Sequence, residues 1–264
     1  MQWFRVSRAS MANAVQDFAA TYTVRTWAFG WLGRIVAQVV FYTLVGRLIG
    51  AADQERYLLV GASVMAIVTE VMLTCASSTW ERRAGTLPLL VAAPTSLLPV
   101  FAGRSVQWLV SSVATSSVSL FAIGPLFGVT WTVSRAVAAA VVLVVCAVGT
   151  YCMALALAAL VLSVMELRNL VGNLATALTT AVCGAVVPVG FWPRWVQAVA
   201  VALPVTHGLR AVRALVAGPA YLAALRDSAL ALAVAAVWLA VADGLFRWLS
   251  ERGRRDGSIE FADN

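Results

Sequence analysis

The chain has no lysine; all 19 of its basic residues are arginine. A Walker A loop rests its lysine on the nucleotide phosphates, and a Schiff-base enzyme needs a lysine amine. Neither can be assembled here. Histidine is almost as scarce: His207 stands alone, and one imidazole does not make a metal site. Charged residues are only 12% of the sequence, where a soluble domain carries about 25%. Cysteine is limited to Cys75, Cys146, Cys152 and Cys183, each inside an apolar run and none at C-x-x-C spacing. They read as packing residues, with no zinc site or disulfide framework. The G-x-S-G and paired D-x-x-D motifs of membrane-embedded enzymes are missing as well.

What is present is apolar. The 264 residues are 61% hydrophobic, the mean hydropathy is +0.87, and runs long enough to cross a bilayer recur along the chain. The expected fold class is an all-α polytopic membrane protein. The net charge of +7 is explained by arginines at the cytoplasmic lipid surface. Membrane lipids are therefore an expected partner and nucleic acid is not. The lysine-free, Ala-, Val- and Arg-rich composition points to a GC-rich genome and a bacterial cell membrane.

Residues 1–26 do not read as a signal peptide, because Arg5, Arg8, Asp17 and Arg25 interrupt them. Phe4, Met11, Val15, Phe18 and Tyr22 recur at helical spacing opposite Arg5, Arg8, Asn13 and Gln16, the pattern of an amphipathic interfacial helix. A transmembrane domain is expected over 27–249, with six spans near 27–49, 57–80, 97–129, 136–164, 170–189 and 223–249. A short loop with Asp53, Glu55 and Arg56 separates the first two, and a polar tail fills 250–264. Between the last two spans, Trp192, Pro193 and Trp195 mark an interface. An apolar run of about ten residues then leads to Leu203-Pro204, too short to cross, followed by His207, Arg210 and Arg213. That stretch predicts a re-entrant helical hairpin.

Orientation follows from arginine placement. With both termini cytoplasmic, Arg5, Arg8, Arg25, Arg82, Arg83, Arg104, Arg168 and the arginines from Arg247 onward fall inside. The short outer loops receive Arg47, Arg56 and Arg135. Arg194, Arg210, Arg213 and Arg226, on the long outer segment, weaken the contrast without reversing it.

One charged, turn-rich passage then faces the cytoplasm between spans 2 and 3: Glu81–Ser96, ERRAGTLPLLVAAPTS. Glu81, Arg82 and Arg83 form a charged cluster. Gly85 and Thr86 can make a turn, Pro88 is tolerated in the first turn of a short helix, and Leu87, Leu89, Leu90 and Val91 supply apolar contacts before Pro94 ends it. A docking element and an ordinary loop with arginines at the headgroups both fit this pattern.

This passage resembles the E-x-x-x-GTL-x-x-L-x-x-x-P-x-S signature of ABC-2 type transporter permeases, and LPVTHGLRAVRALVAG resembles the proline-to-arginine pattern before that family's last span. The resemblance extends over nearly the whole chain. It implies that the passage is a coupling helix seated on a separate cytoplasmic ABC ATPase. Glu81, Gly85, Thr86, Leu87, Leu90, Pro94 and Ser96 match the signature. Arg83 and Pro88 stand where acidic residues are common, which makes the surface more positive than usual. The resemblance also implies that ATP and Mg are bound by the partner ATPase, with no cofactor in this chain. A second copy or a related permease would complete the transporter.

Within the membrane, Glu70 sits in the middle of span 2. It reads as a gate or substrate-path residue, or as a structural group with Arg34 as its partner. Ser112, Thr115 and Ser116, in a hydroxyl-rich span 3, line a path or let helices pack closely. Asp243 and Arg247, four apart, are expected to pair. The leading functional expectation is the permease of an ATP-driven exporter for a drug, antibiotic or lipid-like substrate. Glycan export and an ATP-independent secondary transporter are the alternatives. The latter predicts inverted repeats and several intramembrane acids, and neither is visible.

Overall fold

The computed structural model describes residues 10–14, 23, 25–50, 52–83, 85–92, 96–163 and 167–256. Their regular structure is all helical. This is what a bilayer demands, because a helix satisfies every backbone group within its own segment. Residues 10–14 are helical, with Ser10 and Ala14 buried and Met11 exposed. The rest of the expected interfacial helix, apart from Thr23, Arg25 and Thr26, lies outside the described residues, as do residues 257–264.

α1 spans Thr26–Leu48, its first part (Thr26–Leu32) wound as a π-helix. α2 (Ala52–Val71) and α3 (Leu73–Ser78) form one broken run. Asp53, Glu55 and Arg56 belong to the start of α2 and not to a loop, the two acids favoured there by the helix dipole. The short helices α4 (Trp80–Arg83) and α5 (Leu87–Ala92) follow. α6 (Leu97–Ser117) continues as a π segment, Val118–Ile123, and a 3₁₀ turn, Gly124–Phe127. Pro125 cannot donate into the ladder, which accounts for the change of winding.

α7 (Val133–Ser163) is central, packing against α2, α3, α6 and three later helices: α8 (Arg168–Val182), α10 (Pro204–Ala217) and α11 (Tyr221–Asp256). Its small residues allow close approach. Gly149 meets Pro204 and Gly208 meets Cys146, each so closely that an added Cβ would overlap its neighbour. Hydroxyls within the bundle mostly turn back on their own helices, as Thr43 does to Val39, Ser105 to Phe101 and Thr150 to Cys146.

Among the described residues five helical runs are long and apolar enough to cross a membrane, and α9 (Arg194–Val201) with α10 forms a further pair bent by 86°. α8 has 15 residues, a rise of about 22 Å, and stops short of the expected Val189. Gly184, at φ +93°, turns the chain there. The contacts reveal its course. Residues 164–167 join α8 to the far end of α7, yet Arg213 bonds Gly184 at 2.7 Å and Arg135, at the near end of α7, reaches the Leu215 carbonyl. The Gly184 end of α8 therefore lies level with the Arg135 end of α7, opposite to where α8 begins. α9 and α10 turn at the level of Gly149, about 21 Å along α7 from Arg135, with both ends tied to the Ala181–Gly184 turn. That is a re-entrant hairpin.

Candidate functional site

The segment from Trp80 to Ala92 is a closed turn carrying a short helix. Thr86 donates its backbone N–H and its hydroxyl to the Glu81 carbonyl, each at 3.0 Å, and its hydroxyl also bonds the Glu81 carboxylate. The other carboxylate oxygen lies 2.6 Å from Arg104 Nε on α6. Gly85 makes the reversal at φ +69°, a left-handed conformation that costs other residues about 1–2 kcal/mol. Thr86 then caps α5, its carbonyl taking the first helical bond from Leu90 at 3.1 Å. Leu87 and Val91 are buried in the core. At the far end, Arg254 of α11 donates to the Val91 carbonyl at 2.9 Å, occupying one of the acceptors a helix leaves open at its C-terminus.

Among the described residues of the motif, Glu81, Leu87 and Val91 face inward. Glu81, Thr86 and Leu87 build the turn, while Trp80, Leu89 and Ala92 face outward, Leu89 at 64% exposure. Leu90 is partly buried against the core. The Arg82 and Arg83 side chains, Ala84 and Pro94 lie outside the described residues. Arg104 and Arg254 are additions the sequence pattern did not reveal, since their partners are far away along the chain.

In the membrane region, Glu70 is fully buried. Ser111, Thr115 and Trp31 face its carboxylate and Arg34 is the cation acting on it. Even so, neither oxygen has a partner at hydrogen-bonding geometry among the described residues. The described ion pairs are Arg104–Glu81 and Arg247–Asp243, the latter at 2.7 Å as its spacing predicts. Arg34 and Glu70 do not pair. Ser112, Thr115 and Ser116 are also fully buried. Ser112 and Thr115 bond carbonyls of their own helix, and Ser116 donates to the Ser63 carbonyl of α2 at 2.8 Å.

Arg34 opens instead onto a cavity of about 230 Å³ between α1, α2, α3 and α8. Trp31, Thr69, Asn169, Asn173 and Thr176 line it with Met72 and Leu73. Asn169, Asn173, Thr176 and Thr180 of α8 form a polar row at helical spacing, with Thr179 buried beside it. That spacing was the available signal for this site.

At the opposite end, the hairpin is pinned. Arg213 donates to the carbonyls of Gly184, Ala185 and Tyr57, at 2.7, 3.2 and 3.3 Å, and lies 3.5 Å from the centre of the Tyr57 ring. Tyr57 itself bonds the Gly184 carbonyl at 2.6 Å. Gly61 lets the Ala185 carbonyl approach, since a Cβ there would stand 2.1 Å from it. Pro204 starts α10. His207 holds the bend through Nε2–H to the Val201 carbonyl at 2.9 Å, and the Trp192 indole donates to the Ala181 carbonyl at 3.2 Å. Arg210 is exposed.

A comparison with curated proteins gives no match. The family model for ABC-2 type transporters matches residues 13–216, from the N-terminal segment through the re-entrant hairpin. With its all-helical membrane bundle and the tied turn after α3, the chain belongs to the ABC-2 type transporter family.

Proposed function

We propose that this chain is the membrane subunit of an ATP-driven exporter whose ATPase is a separate cytoplasmic polypeptide. Two permease subunits, identical or related, would assemble with two ATPase subunits. ATP and Mg belong to the ATPase. The arginine distribution favours both termini inside a bacterial cell membrane, and the Trp80–Ala92 segment then faces the cytoplasm. The single observation that carries the reading is the construction of that segment. A buried carboxylate, a threonine and two arginines fix it to α6 and α11, while Trp80 and Leu89 stay outside.

A rigid element of this kind transmits force. Closure of the ATPase would press on α4 and α5; Glu81–Arg104 would pass the displacement to α6, and Arg254 would pass it to α11. The outer hairpin, pinned by Arg213, would resist or release. The cargo would be a drug, an antibiotic, a lipid-like molecule or a glycan. The test is transport by proteoliposomes holding the permease and its ATPase. Transport should require ATP, persist when ion gradients are collapsed, and be lost in Glu81→Ala with Gly85→Trp. Transport driven by an ion gradient without ATP would replace this reading with a secondary transporter.

A further inference from the structure

The Arg34 cavity has a sign. Among its described lining residues Arg34 carries the one formal charge, and it is positive. Four other arginines of the bundle are engaged: Arg104 by Glu81, Arg247 by Asp243, Arg254 by Val91 and Arg213 by three carbonyls. Arg34 rests against the Trp31 ring, its guanidinium carbon 4.7 Å from the centroid, and acts on Glu70 without pairing with it. It has no ion pair or hydrogen bond among the described residues, and neither do the side chains of Asn169 and Asn173. A guanidinium and two amides, all on exposed residues, therefore line one cavity with no protein partner among the described residues.

An arginine within a membrane span normally pairs or marks a path for a charged substrate. Glu70 does not fill that role, being fully buried and not among the lining residues. It also offers no contact to a cationic ligand. The cavity wall is otherwise apolar, through Trp31, Met72 and Leu73, and about 230 Å³ is room for a head group more than for a whole amphiphile.

We propose that the Arg34 cavity binds the anionic head group of an amphiphile, a phosphate or carboxylate, with the apolar body lying toward the lipid. This rests on the chain being a transport permease and narrows its substrate class: acidic amphiphiles over cationic drugs or neutral glycans. Arg34 would form charge-assisted hydrogen bonds to the head group, and Asn169 and Asn173 would complete the donor set.

The test uses the full-length permease in phosphatidylcholine nanodiscs, without the ATPase. Binding of radiolabelled dodecyl phosphate is compared with that of dodecyltrimethylammonium and dodecyl maltoside. Dodecyl phosphate should bind saturably, and Arg34→Ala should weaken it by roughly tenfold to a hundredfold. Arg34→Lys should keep part of the affinity, and Asn173→Leu should reduce it several-fold. Arg47→Ala, which removes an exposed charge at the other end of α1, should leave it unchanged. Equal binding of the cationic probe, or wild-type affinity for dodecyl phosphate in well-folded Arg34→Ala and Asn173→Leu, would overturn the proposal. Repeating the measurement with phosphatidylglycerol in the nanodisc separates the sources. Loss of probe binding identifies a resident bilayer lipid, and retention identifies an exported amphiphile. Because no ATPase is present, binding with these specificities alongside a failure of ATP-driven transport would refute the exporter and leave the site standing.

Discussion

Glu81 is held from two directions, by Thr86 within its own turn and by Arg104 across the helix interface. Removing either partner leaves a largely buried carboxylate short of a donor, which costs about 1–3 kcal/mol. Arg104→Gln and Glu81→Gln should each lower the melting midpoint of the detergent-solubilised protein. The double variant should fall little below the worse single, because both substitutions break one interaction; additive losses would show the pair to be incidental. Gly85 gives a cleaner case. A Cβ there meets no atom within 4 Å, so the penalty for Gly85→Ala is conformational, about 1–2 kcal/mol. Gly85→Asn should be milder, since asparagine tolerates the left-handed region. If the two variants melt alike, the positive φ is not what requires glycine.

Helix α11 reaches past the expected span end at Leu249 to Asp256, and its last turns touch α5 through Arg254. Arg254→Ala should leave the protein folded while lowering transport per ATP hydrolysed in reconstituted vesicles; unchanged coupling would remove Arg254 from the transmission path. The hairpin offers a chemical readout. Cys183 is buried beside the turn that Arg213 holds. In a variant lacking the other three cysteines, Arg213→Ala should speed maleimide labelling of Cys183, and Arg213→Lys should fall between. The sequence showed these elements unevenly. The turn was readable because its bonds join Glu81 to Thr86, five residues apart. Arg104 and Arg254 were not, because their partners lie 23 and 163 residues away and no local pattern encodes such pairings. The extent of α8 was misjudged because apolar residues continue to Val189, while the turn at Gly184 depends on backbone geometry.

Across the whole molecule, composition dictated an all-α bundle, and the arginine pattern favours the orientation used in the proposed function. Fold and family were legible because long apolar runs and a local motif carry them. The Arg34 cavity was not, since α1, α2, α3 and α8 each contribute a few polar groups that acquire meaning only when packed together. The proposed function joins both ends of the bundle: the element at the Glu81 end would receive work from an ATPase, and the pinned hairpin would close the other end. A photo-reactive residue in place of Leu89, in membranes containing the permease and its ATPase, examines that claim; the same residue in place of Phe191, 74% exposed at the hairpin end, is the control. Cross-linking to the ATPase from position 89 and none from position 191 is the predicted result. An ATPase captured equally from both positions, or from neither in a complex that still hydrolyses ATP and transports, would contradict it.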